Sequence, residues 1–260
     1  MTRVIHAMEI IKTQLQLFES VSLPELEKVS LLDRMDTKYV FAREQLPEFL
    51  EILSDKYFIL EISEKRIFKY ESLYFDTDDF LLYNHHYCGR LNRYKVRFRK
   101  YVESNLSFFE IKFKNNKGRT IKSRIQHIPE DAIQGKALDL LQDKTPLEGT
   151  GLKAKFWVNY SRITLVSKDF KERLTLDCDL EFRNDQAVKT LNHLVIAEVK
   201  QSKVGRSVFS RLMKDYHIRI GSISKYCFGV VSLFENVRNN NFKPQLIYLN
   251  RLLYAAPTGS

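Results

Sequence analysis

Basic residues recur at every second position along one short segment, Arg93, Lys95, Arg97 and Arg99, and again as Lys112 with Lys114 and Lys122 with Arg124. Residues two apart in an extended strand share a face, so each run is a row of cations on one side of a strand. Between Arg90 and Arg124 lie twelve bases and only two acids, Glu103 and Glu110, which accounts for the whole net charge of +10. The remaining 225 residues balance. A positive field focused in this way fits a polyanionic partner: nucleic acid, a phosphate chain or acidic lipid.

The same alternation recurs elsewhere. Phe108, Glu110, Lys112 and Lys114 oppose Phe109, Ile111 and Phe113. Arg173, Thr175, Asp177, Asp179 and Glu181 oppose Leu174, Leu176, Cys178, Leu180 and Phe182. Glu198 and Lys200 alternate with Ala197 and Val199, and Arg34, Asp36 and Lys38 share a parity. A charged strand face is ordinarily just a wet face. Rows of Arg and Lys on neighbouring strands repel one another, however, and the arrangement makes sense if the sheet curls around an anion. The expected form is a small closed barrel with apolar residues outside, under helices, and charged residues lining the lumen. Glu198, Glu110, Asp177 and Asp179 would hold a divalent cation on the phosphate.

The elements that must position these rows follow from periodicity. Helical spacing covers residues 7–19, 24–31, 43–53, 131–142, 205–216 and 225–235, with one or two turns over 79–86. Strands are expected over 31–42, 57–61, 67–76, 93–103, 107–115, 119–128, 156–166, 171–182 and 194–201. Asn115-Asn116-Lys117-Gly118 has hairpin chemistry. Strands in series with few βαβ alternations give an α+β class with a mostly antiparallel sheet. One domain is expected over 1–260, with a helical segment over 1–30 and an unstructured tail over 254–260.

Taken in order, these pieces resemble the catalytic domain of the vacuolar transporter chaperone (VTC) polyphosphate polymerases, within the triphosphate tunnel metalloenzymes of the CYTH-like superfamily. The resemblance runs from Arg34-Met-Asp-Thr-Lys38-Tyr39 through Tyr74-Phe-Asp-Thr77, Tyr83 and Gly89-Arg90-Leu91 to Tyr94-Lys-Val-Arg97-Phe-Arg99-Lys-Tyr101. It continues in Phe109-Glu-Ile-Lys112, Lys122-Ser-Arg124, Tyr160-Ser-Arg162, Arg173-Leu-Thr-Leu-Asp177, Glu198-Val-Lys200 and Ser224-Lys225-Tyr226. It implies an eight-stranded antiparallel β-barrel tunnel with surrounding helices. It also implies a metal-dependent phosphotransferase that moves the γ-phosphate of ATP to a growing polyphosphate chain, with Mn²⁺ or Mg²⁺. By motif, Lys38, Arg97, Arg99, Lys112, Lys122, Arg124, Arg162, Arg173 and Lys225 would contact phosphates. Alternation adds Lys114 and Lys200 to that set. Glu198 would be the metal ligand, with Glu110 and Asp177 as further candidates. Arg97, Arg99, Lys112, Arg173 and Glu198 are the expected catalytic set. The wider superfamily opens on Glu-x-Glu-x-Lys, whereas this chain reads Arg34-x-Asp36-x-Lys38, with a base in place of the first carboxylate. The regulatory domain and membrane segments of the eukaryotic polymerases are not expected here.

Two other readings stay open: a tunnel triphosphatase with water as nucleophile, and a non-catalytic polyphosphate or RNA binder. An RNA-stacking sheet needs aromatics on the face that meets the bases, and here most alternate away from Arg and Lys. Nucleic acid is therefore the less favoured partner. His85, His86, His127 and His193 lack zinc-ligand spacing, and neither a phosphate-binding P-loop nor a serine elbow is present. No apolar run is long enough to span a membrane and no secretory h-region opens the chain. Cys88, Cys178 and Cys227 form no pairing framework, so a reducing cytoplasm is expected. The sequence fixes no oligomeric state.

Overall fold

A computed structural model describes residues 2–28, 35–201, 207–221 and 223–254. Arg34, the first two residues of the helix expected over 205–216, and the tail from 255 lie outside the described residues. In chain order the elements begin with α1 (Thr2–Leu15), β1 (Ser20–Val21), α2 (Leu23–Lys28), β2 (Met35–Ala42), α3 (Leu46–Ser54) and β3 (Tyr57–Leu60). Next come β4 (Phe68–Asp76), α4 (Leu81–Tyr87), β5 (Arg93–Tyr101), β6 (Leu106–Lys114), β7 (Thr120–Gln126) and α5 (Lys136–Lys144). The chain continues through β8 (Lys153–Ser167), β9 (Glu172–Arg183), β10 (Val188–Leu191) and β11 (Leu194–Gln201), then α6 (Val208–Asp215), α7 (Lys225–Leu233) and α8 (Lys243–Tyr254). The class is α+β, as the alternation predicts. The short strands β1 and β10 and the whole of α8 were not expected from the sequence.

Eight strands form one antiparallel path in the order β2-β11-β9-β8-β4-β5-β6-β7, with β1, β3 and β10 attached at its side. The β6–β7 hairpin closes on the expected turn. Asn115 Oδ1 accepts the Lys117 and Arg119 N–H groups at 3.0 and 2.9 Å, and Gly118 takes φ +74°, the left-handed region that suits glycine.

The sheet is strongly curled. β2 and β6 stand six steps apart along the path, yet the charges of Lys38 on β2 and Glu198 on β11 act on Lys112 of β6. The curl differs from the closed barrel that the alternation suggests: among the described residues β2 and β7 are not hydrogen-bonded to each other. The outer edge of β2 is covered by other means. Tyr39 bridges Ile220, Gly221 N–H donates to Lys38 O at 2.9 Å, and the Tyr248 hydroxyl on α8 donates to Val40 O at 2.8 Å.

Apolar residues behind the charged rows fill two clusters. Leu73, Phe75, Val96, Phe98, Phe109 and Ile111 pack with Ala137 and Leu141 of α5 and with Leu82 and Tyr83 of α4. Leu165, Leu174, Leu176, Val195, Ala197 and Val199 pack with Leu15 of α1, with Phe49, Leu50 and Leu53 of α3, and with Phe209 and Met213 of α6. Phe98, Ile111, Leu174 and Leu176, among the apolar residues opposite the charged rows, are buried under helices, each at most 2% exposed.

Two acidic residues, Asp179 and Glu181, leave their expected face. The β8–β9 register shifts between Asn159 and Ser161, and Asp179 sits in the bulge at φ +52°. The extra residue reverses parity there, and Asp179 pairs with the buried Arg43 instead of joining Asp177. Among the described residues, no helix is long and apolar enough to cross a membrane.

Candidate active site

Cross-strand register alone builds a single charged face. Lys38 stands opposite Glu198, Lys200 opposite Arg173, and Arg162 opposite Asp177. Farther along, Tyr74 faces Arg97, Ser72 faces Arg99, Arg97 faces Glu110, and Lys95 faces Lys112. β7 completes the row, with Lys122 opposite Lys112 and Arg124 opposite Glu110. The curl turns this face inward, so most of its side chains are partly buried, while Lys122 and Arg124 on the edge strand are exposed.

Three carboxylates in the row are each gripped by two bases. Arg162 binds Asp177 bidentately, Nε to Oδ1 at 2.6 Å and Nη2 to Oδ2 at 2.8 Å, and Lys225 closes on the same carboxylate. Arg97 places Nε and Nη2 on Glu110 Oε2 at 2.8 and 2.6 Å, with Arg99 at 3.9 Å. Lys200 pairs with Glu198, whose other oxygen lies 3.5 Å from Lys38 Nζ. Burial alone would raise these acids, but the adjoining bases outweigh it. Glu110 is held down to about 2, and Asp177 and Glu198 lie below the usual carboxylate range. The bases respond in the opposite sense. Burial, with neighbouring cations that include Lys38, lowers Lys95 and Lys112 to about 8.

An aromatic wall holds the guanidinium groups in place. Tyr70 and Tyr160 stack across β4 and β8, with centroids 5.2 Å apart and planes within 6°. Arg162 lies 5.0 Å from the Tyr70 ring, Arg99 5.6 Å from it, and Lys225 4.6 Å from the Tyr160 ring. Arg97 Nη1 donates to the Tyr74 hydroxyl at 2.8 Å.

Helix α7 closes one end of the curl. Lys38 donates to Ile223 O at 3.3 Å, Lys95 to Ser224 Oγ at 2.9 Å, and Ser224 caps α7. Beyond Lys225, Tyr226 stacks near Phe156, and a Cβ on Gly229 would run into the Phe156 ring, so only glycine lets the helix lie this close. Val40, Ile196, Val158 and Tyr74 share the parity of the bases here and pack in one cluster with Phe156, Tyr226 and Phe228. The lumen is therefore apolar where β2, β11, β8 and β4 meet α7, while its β5–β6 side carries charge up to Lys95 at Ser224. Asp76 anchors the arrangement. It accepts N–H groups from Thr77, Leu82 and Tyr83 at 2.8, 2.8 and 3.0 Å, and the Tyr226 hydroxyl.

The structure thus gathers Lys38, Arg97, Arg99, Glu110, Lys112, Arg162, Asp177, Glu198, Lys200 and Lys225. Lys114, Lys122 and Arg124 share the face at its β6–β7 margin, with Arg124 over the Phe108 ring at 4.7 Å. Arg173 is on the face too, but its Nη2 donates to Leu26 O at 3.0 Å, at the end remote from α4.

A family profile for the VTC domain matches residues 33–234. The chain belongs to the VTC domain family. The VTC domain here also superposes on HpAC1 from Hippeastrum, an adenylyl cyclase candidate described as having a dominant triphosphatase activity. The TM-score is 0.53 at 13% identity, over 78% of this chain and 98% of that one. An adenylate cyclase candidate from Bacillus halodurans aligns with TM-score 0.48 and 16% identity, over 78% of this chain and all of that one. At such identities the likeness is one of fold, a curled antiparallel sheet with helices around it. No curated protein matches.

Among the described residues of this VTC domain, no group of three or more His, Cys, Asp or Glu gathers where a metal ion could sit. A cation that keeps waters and phosphate oxygens needs only one or two protein carboxylates. Glu198 is the candidate ligand, with its two oxygens beside Lys200 and Lys38, so a cation there would need phosphate oxygens as further ligands.

Sequence reasoning passed over Lys95, Tyr70, Tyr74 and Ser224 as site residues. Parity signalled Lys95. Tyr74 stands in a matching motif without an assigned role and Tyr70 is not singled out, and only the register shows that they share the face of Arg97 and Arg99.

Proposed function

We propose that this VTC domain transfers the γ-phosphoryl group of ATP to the terminal phosphate of a polyphosphate chain. A terminal phosphate oxygen forms a bond to the γ-phosphorus, and the bond from that phosphorus to the β–γ bridging oxygen breaks. ADP leaves and the chain is one phosphate longer. Arg97, Arg99, Lys95, Lys112 and Lys225 bind and orient the triphosphate and neutralise charge that spreads over the equatorial oxygens. Asp177 and Tyr160 hold Lys225 in place. Arg173 contributes once it leaves the Leu26 carbonyl. A divalent cation, when bound at Glu198, would supply further charge neutralisation on phosphate oxygens. Lys114, Lys122, Arg124, Lys38 and Lys200 extend the cationic track for the chain.

The observation that carries this reading is the state of the inner carboxylates. Glu110, Asp177 and Glu198 are each held by two bases and lie low in pKa. Such groups are poor acceptors for a proton from water. A phosphate nucleophile is already anionic at pH 7 and needs no base. The second reading, a triphosphatase, is favoured by the activity described for HpAC1. Incubation with ATP and Mn²⁺, followed by separation of long polymer from free phosphate, decides between them. The proposal includes one tunnel domain over the whole chain and a cytoplasmic location, where ATP is available. Free cysteines at 88, 178 and 227 suit that compartment.

A further inference from the structure

Where β5 begins and β6 ends, the charged face meets the last turn of α4. His86 is half-buried there, edge-on to Tyr226 of α7 with centroids 6.2 Å apart. The charges that act on it are Arg93 and Lys95 from β5 and Lys112 and Lys114 from β6. Its neighbour His85 places Nε2 2.9 Å from Arg90 Nη1, while Nδ1 is buried without a partner. Arg93 donates from Nη1 to Arg90 O at 2.7 Å, and its Nε is likewise buried without a partner. Two buried, unpartnered nitrogens beside several cations are costly as they stand, and an anion among them would relieve both.

We propose that His86, His85, Arg93 and Lys114 form a second anion subsite at the α4 end of the tunnel, taking one phosphate group, either free inorganic phosphate or the terminal phosphate of a chain. The assignment rests on reading the interior as a phosphate tunnel. Burial and four cations push the His86 imidazole down to about 2, so it is neutral at pH 7. Asp76 draws His85 slightly the other way, against burial and Arg90. A phosphate seated among the cations both offsets their field and puts a negative partner beside the imidazole, which together outweigh its burial, so that His86 takes up a proton. Binding at this subsite therefore strengthens as pH falls toward 6.

The test is calorimetry on the full chain without ATP, titrating inorganic phosphate and, separately, tripolyphosphate, each in two buffers of different ionisation enthalpy. The parent should show proton uptake with at least one of the two ligands. Uptake with inorganic phosphate identifies the free anion as a ligand, and uptake with tripolyphosphate alone identifies the chain end. In a Lys95→Met, Lys112→Met background, which silences the two lysines near 8, His86→Asn should abolish the remaining uptake. Arg93→Gln should weaken the same binding by about tenfold, the loss of one charge-assisted hydrogen bond, and keep the uptake. An Arg97→Gln control, which removes the charge, separates the two claims. If Arg97→Gln leaves tripolyphosphate affinity intact while the His86-linked uptake persists, the tunnel reading fails and the subsite stands. No binding in the parent, no proton uptake with either ligand, or uptake unchanged by His86→Asn in the double-Met background overturns the subsite.

Discussion

Arg97 and Glu110 face each other across the β5–β6 ladder, with two guanidinium nitrogens on one carboxylate oxygen at 2.6 and 2.8 Å. The pair leaves Nη1 for the Tyr74 hydroxyl, so the whole fork is fixed before any ligand arrives. A lysine cannot reproduce that planar, two-point grip. Arg97→Lys is expected to lose about 2–4 kcal/mol of transition-state stabilisation, roughly 30- to 1,000-fold in kcat/KM. Steady-state ATP turnover by the purified variant checks this, and a change below about threefold would remove Arg97 from the reacting centre.

Glu198→Gln keeps shape and removes charge. Metal-dependent turnover should collapse, while the fold and most polyanion binding survive, because the lysines at 38 and 200 remain. Turnover at several Mn²⁺ concentrations, with circular dichroism as the control, makes the measurement. Near-normal metal-dependent turnover would leave Glu198 as a structural partner of Lys38 and Lys200.

Asp177 is 3% exposed and compensates both Arg162 and Lys225. Asp177→Asn strands two partly buried cations, and about 3 kcal/mol of stability should be lost. Urea unfolding gives the value, and a midpoint within error of the parent would contradict the clamp.

Lys95 and Lys112 give a pH dependence of definite sign. Their folded values near 8 lie below the unfolded lysine value of about 10.4, so between those limits the unfolded chain binds more protons. Their contribution to stability therefore rises from pH 8 to about 10. Triphosphate affinity of the resting protein moves oppositely, weakening above pH 8 as the two charges are lost. Denaturant midpoints and tripolyphosphate titrations at pH 7, 8 and 9 test both arms. Lys95→Met with Lys112→Met should flatten both trends.

Most of the sheet was legible because strand parity is a local property. Alternation in 93–101, 106–114 and 172–177 placed bases on one face and apolar residues on the other, as the register shows. The Asp179 bulge was not legible, since no glycine marks the turn to positive φ and the reversal depends on pairing with Arg43. Helix α8 did carry a signal, in Pro244 and the spacing of Leu246, Leu249 and Leu252. Which part of the lumen would be apolar depends on where α7 docks. That turns on Gly229 meeting Phe156, a contact between distant segments. The twinned grip on each carboxylate is likewise a product of curl, since Lys225 reaches Asp177 only because α7 folds back into the sheet.

The central claim is that a phosphate, and not water, receives the γ-phosphoryl group. The direct measurement incubates the parent protein with γ-labelled ATP, Mn²⁺ and a short polyphosphate primer, and counts label in polymer and in free phosphate per ADP released. The account predicts about one chain phosphate per ADP, with primer-dependent growth and little free phosphate. Label released wholly as free phosphate, whatever the primer concentration, would contradict it.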